Sequence, residues 1–200
     1  MSFISKISPE DEKILIGRCK KGDLTAFSEL IDSYQNKVFS LAFRLIGNED
    51  DAEDISQEIF VKFFRTVNLF KGESSLATWL YRITVNEVKN FWKSKTMRNS
   101  LKTKSIDSLS DPEDENIAKV QFADPTPSPR DIASENELLS HLERLMKKIS
   151  DEFREILILR FKENLSYEEI ASILNINIGT VKSRLARARI ELKSLMEPYL

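Results

Sequence analysis

Basic and hydroxyl side chains recur at helical spacing near the C-terminal end of the sequence. Offsets of zero, three, four and seven place Thr180, Ser183, Arg184 and Arg187 on one helical face, with Lys182 beside them. Arginine can bond a guanine edge through two parallel hydrogen bonds, while lysine and hydroxyl groups can hold phosphates. The pattern predicts a helix that enters the major groove of DNA, although an ordinary solvated cationic helix has the same charge.

Helix start signals predict how these side chains are positioned. Ser166 and Glu169 have the spacing of a capping box and begin a short helix through Leu174, and Asn177 caps a longer helix that runs towards Met196. Two helices separated by a three-residue turn are typical of a helix-turn-helix. The apolar residues predicted to face inward on the second helix are Ile178, Val181, Leu185, Ala188, Leu192 and Leu195.

Three further residues of the second helix are expected to lie near phosphates. Gly179 leaves the amides of the first turn open to a phosphate group, because it has no side chain. Arg189 and Lys193 lie further along the helix, where phosphate contact is expected in place of base contact.

A second candidate surface is acidic. Asp51, Asp54, Gln57 and Glu58 share one side of a predicted helix whose opposite side is apolar, with Ala52, Ile55, Ile59, Phe60 and Phe63. This acidic strip is either a docking face for a basic protein surface or a solvated helix face. Helical periodicity alone leaves both interpretations open.

A third candidate surface mixes aromatic and basic side chains. Such a mixture suits unpaired bases, which stack on aromatic rings while cations hold the backbone. At helical spacing, however, Trp79 and Ile83 are expected to be core residues. The residues concerned are Phe70, Trp79, Tyr81, Phe91 and Trp92, interleaved with Lys71, Arg82, Lys89, Lys93 and Lys95.

The sequence gives little support for a catalytic site or a metal site. Asp51, Asp54 and Glu58 could ligate a divalent cation in a nuclease-like site, but no second element supplies further ligands or a base. His141 is the only histidine and Cys19 the only cysteine, so neither a His/Cys metal cluster nor a Cys/His dyad can form. We therefore expect no enzyme activity, no metal and no cofactor.

Domain organisation follows from the distribution of proline and of apolar residues. Apolar residues recur at three-four spacing and rarely alternate, which predicts an all-α fold. Prolines gather at Pro112, Pro125, Pro127 and Pro129. We therefore predict two small helical domains, 1–95 and 134–200, joined by a flexible linker over 96–133. The domains should hold no fixed spacing unless they or a partner clamp them together.

Bulk composition limits the class of protein. The 200 residues carry a formal net charge of -2, so any affinity for nucleic acid must come from local charge. One cysteine forms no internal disulfide, and no apolar run approaches the roughly 20 residues that cross a bilayer. We expect a soluble protein of a reducing compartment, the cytoplasm.

Three motifs in this order resemble bacterial RNA polymerase sigma factors of the extracytoplasmic-function, or sigma-E-like, group. They are DAEDISQEIFVKFF, then F-KGESSLATWLYRITVN, then LSYEEIASIL followed by IGTVKSRLARAR. The resemblance implies an alternative sigma factor with region 2 over 1–95 and region 4 over 134–200. It implies partners as well: core RNA polymerase, promoter DNA and an anti-sigma factor.

The resemblance also implies residue roles. Asp51, Asp54, Gln57 and Glu58 would dock on the clamp helices of the largest polymerase subunit. The helix-turn-helix would read the minus-thirty-five element through the outward residues of its second helix. A flipped minus-ten base would enter a pocket formed by Phe70, Ile83 and Asn86, with Thr66 at its edge.

One rival hypothesis is a stand-alone transcriptional regulator that uses the same helix-turn-helix. Such a regulator usually dimerises and carries an effector domain. The acidic strip and the aromatic-basic surface favour the sigma factor, for which the resemblance implies a role in a bacterial stress or envelope response.

Overall fold

The computed structural model describes residues 7–102, 144–146 and 148–197, with side chains throughout except at 98–102. Across these residues the fold is all helical, as predicted, and contains no strand. The elements are α1 (Pro9–Cys19), α2 (Leu24–Ile46), α3 (Glu49–Thr66), a 3-10 turn (Val67–Leu69), α4 (Leu76–Lys102), α5 (Asp151–Leu157), a π-helical turn (Ile158–Lys162), α6 (Tyr167–Leu174) and α7 (Ile178–Met196).

Side-chain caps determine where the first helices begin. Ser8 accepts a hydrogen bond from the amide of Asp11, and Asp23 accepts from two amides of the first turn of α2. The Asn48 side chain accepts a hydrogen bond from the Asp51 amide at the start of α3. Such caps each contribute about 1 kcal/mol to stability. Gly47 ends α2 with a φ of 76°, a left-handed conformation that glycine adopts without steric cost.

A row of aromatic rings joins the helices of the first domain. Phe63 of α3 is fully buried and packs between Phe27 of α2, at a centroid distance of 5.2 Å, and Trp79 of α4, at 5.8 Å. Phe70, from the loop before α4, lies 5.3 Å from Trp79. These contacts hold α2, α3, α4 and the loop that carries Phe70 as one unit.

The second domain contains the predicted helix-turn-helix in α6 and α7. Val181, Leu185 and Ala188 of α7 are buried, as their spacing predicted. Ile178 is 38% exposed, so the prediction that it packs inward is wrong: it is the first residue of the helix, where neighbouring elements do not cover it. The sequence also predicts Ser150 as a helix cap; Ser150 precedes α5 but makes no side-chain cap bond.

The two domains pack against each other. Glu163, which follows the π-helical turn, accepts hydrogen bonds from Arg44 Nη1 at 2.6 Å and from Tyr81 Oη at 2.7 Å. Arg154 Nη1 donates to the backbone carbonyl of Leu45 at 3.2 Å. Buried apolar residues of both domains belong to one continuous cluster. The domains therefore clamp each other, which is the exception that the sequence prediction allowed.

Two more contacts cross the same interface. Lys89 of α4 forms an ion pair of 3.0 Å with Glu155 of α5, whose side chain is only 2% exposed. Thr78 Oγ1 lies 3.4 Å from Glu169 Oε1. Burial raises the pKa of Glu155, and Lys89 opposes that shift.

Most of the predicted linker lies outside the described residues, and so do Ser134 and Glu137, whose spacing in the sequence predicts a capping box. Helix α4 continues to Lys102, past the predicted linker start at residue 96. Residues 96–102 contain neither proline nor glycine, so nothing in their chemistry ends the helix at 95.

Candidate nucleic-acid and protein interfaces

The turn of the helix-turn-helix is held by the caps that the sequence predicted. Ser166 and Glu169 form a reciprocal capping box, with N-to-O distances of 2.9 and 3.1 Å. Asn175 ends α6 in the left-handed conformation with a φ of 53°. Asn177 Oδ1 then accepts from the Thr180 amide at 2.7 Å and begins α7. This geometry fixes the direction in which α7 leaves the domain.

The outer face of α7 is accessible. Lys182, Ser183 and Arg187 are exposed, and Thr180 and Arg184 are half-buried. Thr180, Ser183 and Arg187 share the side of the helix that faces away from the buried Val181, Leu185 and Ala188, with Lys182 and Arg184 at its two edges, and a duplex could meet them there.

Three of these side chains already have partners, and Ser183 Oγ donates to the Thr180 carbonyl at 3.0 Å. Arg184 Nη2 lies 3.5 Å from the carboxylate of Glu152 on α5. Thr180 Oγ1 donates to Asn177 Oδ1 at 3.0 Å, so its hydroxyl also supports the cap. A DNA ligand would have to compete with Glu152 for Arg184.

Gly179 and Arg189 have structural roles that sequence reasoning missed. A Cβ at Gly179 would lie 3.2 Å from Asn177 Oδ1, so the glycine also keeps the capping oxygen uncrowded. The guanidinium of Arg189 lies over the ring of Phe161, at 5.2 Å from its centroid. Arg189 is two positions after Arg187, which places the two side chains on different sides of α7.

The acidic strip on α3 is also accessible. Asp54, Gln57 and Glu58 are exposed, while Asp51 is half-buried and lies 3.5 Å from Lys95 Nζ of α4. Together with residues of the next two turns, the exposed three line an open groove of about 680 Å³. The residues that sequence reasoning did not include in this groove are Val61, Lys62, Arg65 and Thr66.

Exposed apolar side chains accompany this groove. Val61 is 51% exposed, and Phe64, on the following turn, is 44% exposed. Helical spacing could have found Val61 and Arg65, because they lie three and seven residues after Glu58 on the same face. A surface that combines carboxylates with exposed apolar groups suits a protein partner better than a small ligand.

The residues assigned to the base pocket fall into two groups. Phe70 and Ile83 are 7% and 8% exposed, and Trp79, one turn before Ile83, is buried with them. Asn86 is exposed, and Thr66 is half-buried, with its hydroxyl donating to a backbone carbonyl. The apolar wall of the pocket is therefore covered in this structure, while its polar rim is accessible.

Lys20, which directly follows α1, holds the loop that carries Phe70. Its Nζ donates to the Phe70 carbonyl at 2.6 Å and lies 6.0 Å from the centre of the same ring. The bond joins residues 50 positions apart, so no local sequence signal could have indicated it.

The comparisons with known proteins match both domains. Residues 30–98 match the family described as Sigma-70 region 2, and residues 140–192 match Sigma-70, region 4. Over 189 residues the chain is 34% identical to the ECF RNA polymerase sigma-E factor of Escherichia coli strain K12, which covers 94% of this chain and 96% of that protein. This chain belongs to the ECF sigma factors. The resemblance stated from the sequence motifs is confirmed.

Other similar proteins agree. The RNA polymerase sigma-H factor of Pseudomonas aeruginosa is 30% identical over 202 residues, covering 97% of this chain and 98% of that protein. The sigma factor RpoE of Bartonella quintana, solved in complex with the anti-sigma factor NepR, matches with a TM-score of 0.63 at 26% identity, over 86% of this chain and 96% of that one. CnrH, solved with the cytosolic domain of CnrY, shares the fold, with a TM-score of 0.63 at 21% identity.

Region 2 of this sigma factor thus contains the acidic strip and the residues assigned to the base pocket, and region 4 contains the helix-turn-helix. Among the described residues, no group of three or more histidine, cysteine, aspartate or glutamate side chains is placed to hold a metal ion. Within the same part of the chain, no helix is both long and apolar enough to span a membrane.

Proposed function

We propose that this ECF sigma factor is an alternative initiation factor that binds core RNA polymerase and directs it to promoters. The full-length match to sigma-E-like proteins carries the proposal. The geometry supports it, because exposed surfaces suited to a protein and to DNA lie on separate elements, α3 and α7.

Docking on polymerase is assigned to the acidic strip of α3. The exposed carboxylates of Asp54 and Glu58, with the Gln57 amide between them, would meet a basic surface of the clamp helices. Asp51 lies at one end of the strip, already paired with Lys95. Val61 and Phe64 would add apolar contact area beside the charges.

Promoter recognition is divided between the two domains. Thr180, Lys182, Ser183, Arg184 and Arg187 would read the minus-thirty-five duplex from the major groove. In region 2, Asn86 can both donate to and accept from a base edge, and Phe70 and Ile83 would contact a flipped minus-ten base, with Thr66 at the edge. Flipping costs a few kcal/mol, which the pocket contacts must offset.

The proposed role is non-catalytic and requires no metal or cofactor. We further propose that the protein acts in the bacterial cytoplasm, in a stress or envelope response, under control of an anti-sigma factor. Support for such a partner comes from the similar sigma factor RpoE of Bartonella quintana, which was solved with the anti-sigma factor NepR.

The decisive experiment combines the purified chain with sigma-free bacterial core polymerase. We expect a stable complex on gel filtration and transcripts that depend on the promoter. A stand-alone regulator would instead bind an operator duplex tightly without polymerase and would give no transcript with the core enzyme.

A further inference from the structure

Lys20 contacts Phe70 in two ways, through the backbone and through the ring. Its Nζ donates to the Phe70 carbonyl at 2.6 Å and lies 6.0 Å from the centroid of the ring. A hydrogen bond from an ammonium group is stronger than one between neutral groups, and a cation at this distance is also attracted to the ring. Both contacts act on the same loop residue.

The turn that carries Lys20 is tied to two helices. The backbone amides of Gly22 and Asp23 donate to the carbonyls of Cys19 and Arg18 at 2.9 and 3.2 Å. Arg18 Nε also donates to the Asp23 carboxylate at 2.8 Å, and that carboxylate caps α2. Lys20 therefore extends from a turn that is fixed to both α1 and α2.

The loop that Lys20 contacts joins the 3-10 turn to α4. Phe70 donates its amide to the Val67 carbonyl at 3.1 Å, and Gly72 then has a φ of 77°. Lys71, Gly72 and Glu73 are exposed. Exposed loops with few buried contacts are the segments of a fold that open most easily, so a bond to the Phe70 carbonyl matters for the shape of this one.

The ring and the carbonyl of Phe70 are held by different partners. The ring lies 5.3 Å from the ring of Trp79, while the carbonyl is held by Lys20. A change of side-chain rotamer moves the ring without moving the carbonyl. The ring can therefore leave Trp79 to meet a base while the loop stays anchored to Lys20.

We propose that Lys20 is a positioning residue for the base pocket, which anchors the backbone of Phe70 so that its ring meets the flipped minus-ten base in one defined place. The inference rests on the proposed function, because it requires that Phe70 contacts that base. Lys20 acts through Phe70 and does not itself read the base. A loop without this anchor would let the ring take several positions, which lowers discrimination between bases and slows capture of the correct one.

Three variants separate the anchor from the charge. Lys20→Met keeps an unbranched side chain and removes the donor, whereas Lys20→Arg keeps a donor and a positive charge. Lys21→Met is the matched control, because it removes the same charge from the next residue, which is also exposed. Lys20 is exposed as well, so all three variants should keep the helical circular dichroism spectrum and nearly the same melting temperature.

NMR of the free full-length chain tests the contact without polymerase. The Lys71 amide belongs to the same peptide group as the Phe70 carbonyl, so its chemical shift responds to the bond that this carbonyl accepts. The shift should change in Lys20→Met, stay near the wild-type value in Lys21→Met, and be largely restored in Lys20→Arg.

The effect on reading is measured in the holoenzyme with a panel of minus-ten variants. Lys20→Met should lower discrimination at the flipped base roughly threefold, because water replaces only part of the lost hydrogen bond. Open-complex formation should slow, the affinity for core polymerase should stay unchanged, and Lys20→Arg should recover most of the discrimination. Lys21→Met should keep the wild-type base preference.

The outcomes separate the anchor from the proposed function. An unchanged Lys71 amide in Lys20→Met, or undiminished base discrimination, would overturn the role of Lys20 and leave the sigma factor function standing. So would uniformly weaker binding to all promoters with a lower salt slope, which marks a phosphate contact, or faster strand opening, which marks a clamp that keeps the pocket covered. A wild-type holoenzyme that did not discriminate between minus-ten bases would remove the proposed function itself, and the role of Lys20 with it.

Discussion

Region 4 presents its candidate reading residues on an open helix, whereas region 2 keeps the apolar half of its candidate pocket covered. Lys182 and Arg187 are exposed on α7, but Phe70 and Ile83 are less than 10% exposed. A preformed convex helix suits a duplex, whose major groove is already accessible. A covered pocket suits a base that becomes available only after strand opening.

The difference predicts that variants of the two regions affect different measured quantities: the affinity for DNA in region 4 and the rate of strand opening in region 2. Most of the outer face of α7 is already exposed, and only Arg184 has to leave Glu152, so under the proposed function losses in region 4 should appear as changes in affinity. Under the same proposal region 2 has to uncover Phe70, which is held by Trp79 on one side and by Lys20 at its carbonyl. Losses there should appear mainly in the rate of strand opening.

Docking variants should have the largest effect, because neither reading surface acts on a promoter without polymerase. Asp54→Lys with Glu58→Lys would face like charges on the clamp helices and should weaken binding to core enzyme by about 3 kcal/mol, roughly 100-fold. Both side chains are exposed, so the melting temperature should change little. Binding is measured by fluorescence titration with core polymerase.

The matched control has the same charge change elsewhere in region 2. Glu29→Lys with Asp32→Lys alters two exposed residues of α2, outside the strip, and should keep near-normal affinity. Equal loss in both double variants would point to net charge and against docking by the acidic strip.

Arg187→Ala comes next, and it tests the preformed surface. Loss of a base-reading arginine should cost about 1 to 3 kcal/mol and relax preference at one minus-thirty-five position. A panel of promoter variants, measured in the holoenzyme at several salt concentrations, gives the selectivity.

Lys193→Ala is the control for phosphate contact. It should weaken all sequences alike and lower the salt slope by roughly one unit. Arg189 is a poorer control, because its guanidinium already lies over Phe161. Full selectivity in Arg187→Ala would remove this residue from the reading surface.

Local chemistry explains what sequence reasoning could and could not predict. In the sequence Ser8, Asp23, Ser166 and Asn177 each stand at a predicted helix start, where a cap needs only neighbours two or three residues away, and all four caps are present. The helix-turn-helix followed from the last two of them.

The domain interface had no such local signal. Glu163 resembles a solvated helix charge in the sequence, and its partner Arg44 lies 119 positions away. Burial of Phe70 and Tyr81 likewise depends on tertiary packing, so spacing alone could not separate core aromatics from stacking ones. Residue chemistry therefore predicted elements better than it predicted contacts between them.

Asn86→Ala should have a smaller effect, confined to the accessible polar rim of the candidate pocket. Loss of one base-edge hydrogen bond costs about 1 kcal/mol, so discrimination at one minus-ten base should fall roughly fivefold. Open-complex formation, followed by a fluorescent base in the non-template strand, should slow, while binding to polymerase stays unchanged. A large loss of thermal stability with uniformly poor binding to all promoters would instead make Asn86 a structural brace.

The smallest effect concerns pH and the buried carboxyl of Glu155. Its pKa in the folded chain is raised, chiefly by burial, with Lys89 of α4 and Arg184 of α7 opposing the shift and Glu152 on the same helix adding to it. A raised carboxyl pKa contributes stability that is full below the unfolded value of about 4.3 and is lost as pH rises through the folded pKa. Glu155→Gln cannot titrate, so its free energy of unfolding relative to wild type should rise across that window in urea titrations.

Lys89→Met keeps Glu155 and removes the opposing cation. In this variant the loss of stability that accompanies ionisation of Glu155 should move to higher pH. Parallel profiles of unfolding free energy against pH for wild type and Glu155→Gln would show that the carboxyl is solvated. The contact between regions 2 and 4 would then be looser than the pairing of Lys89 with the buried Glu155 indicates.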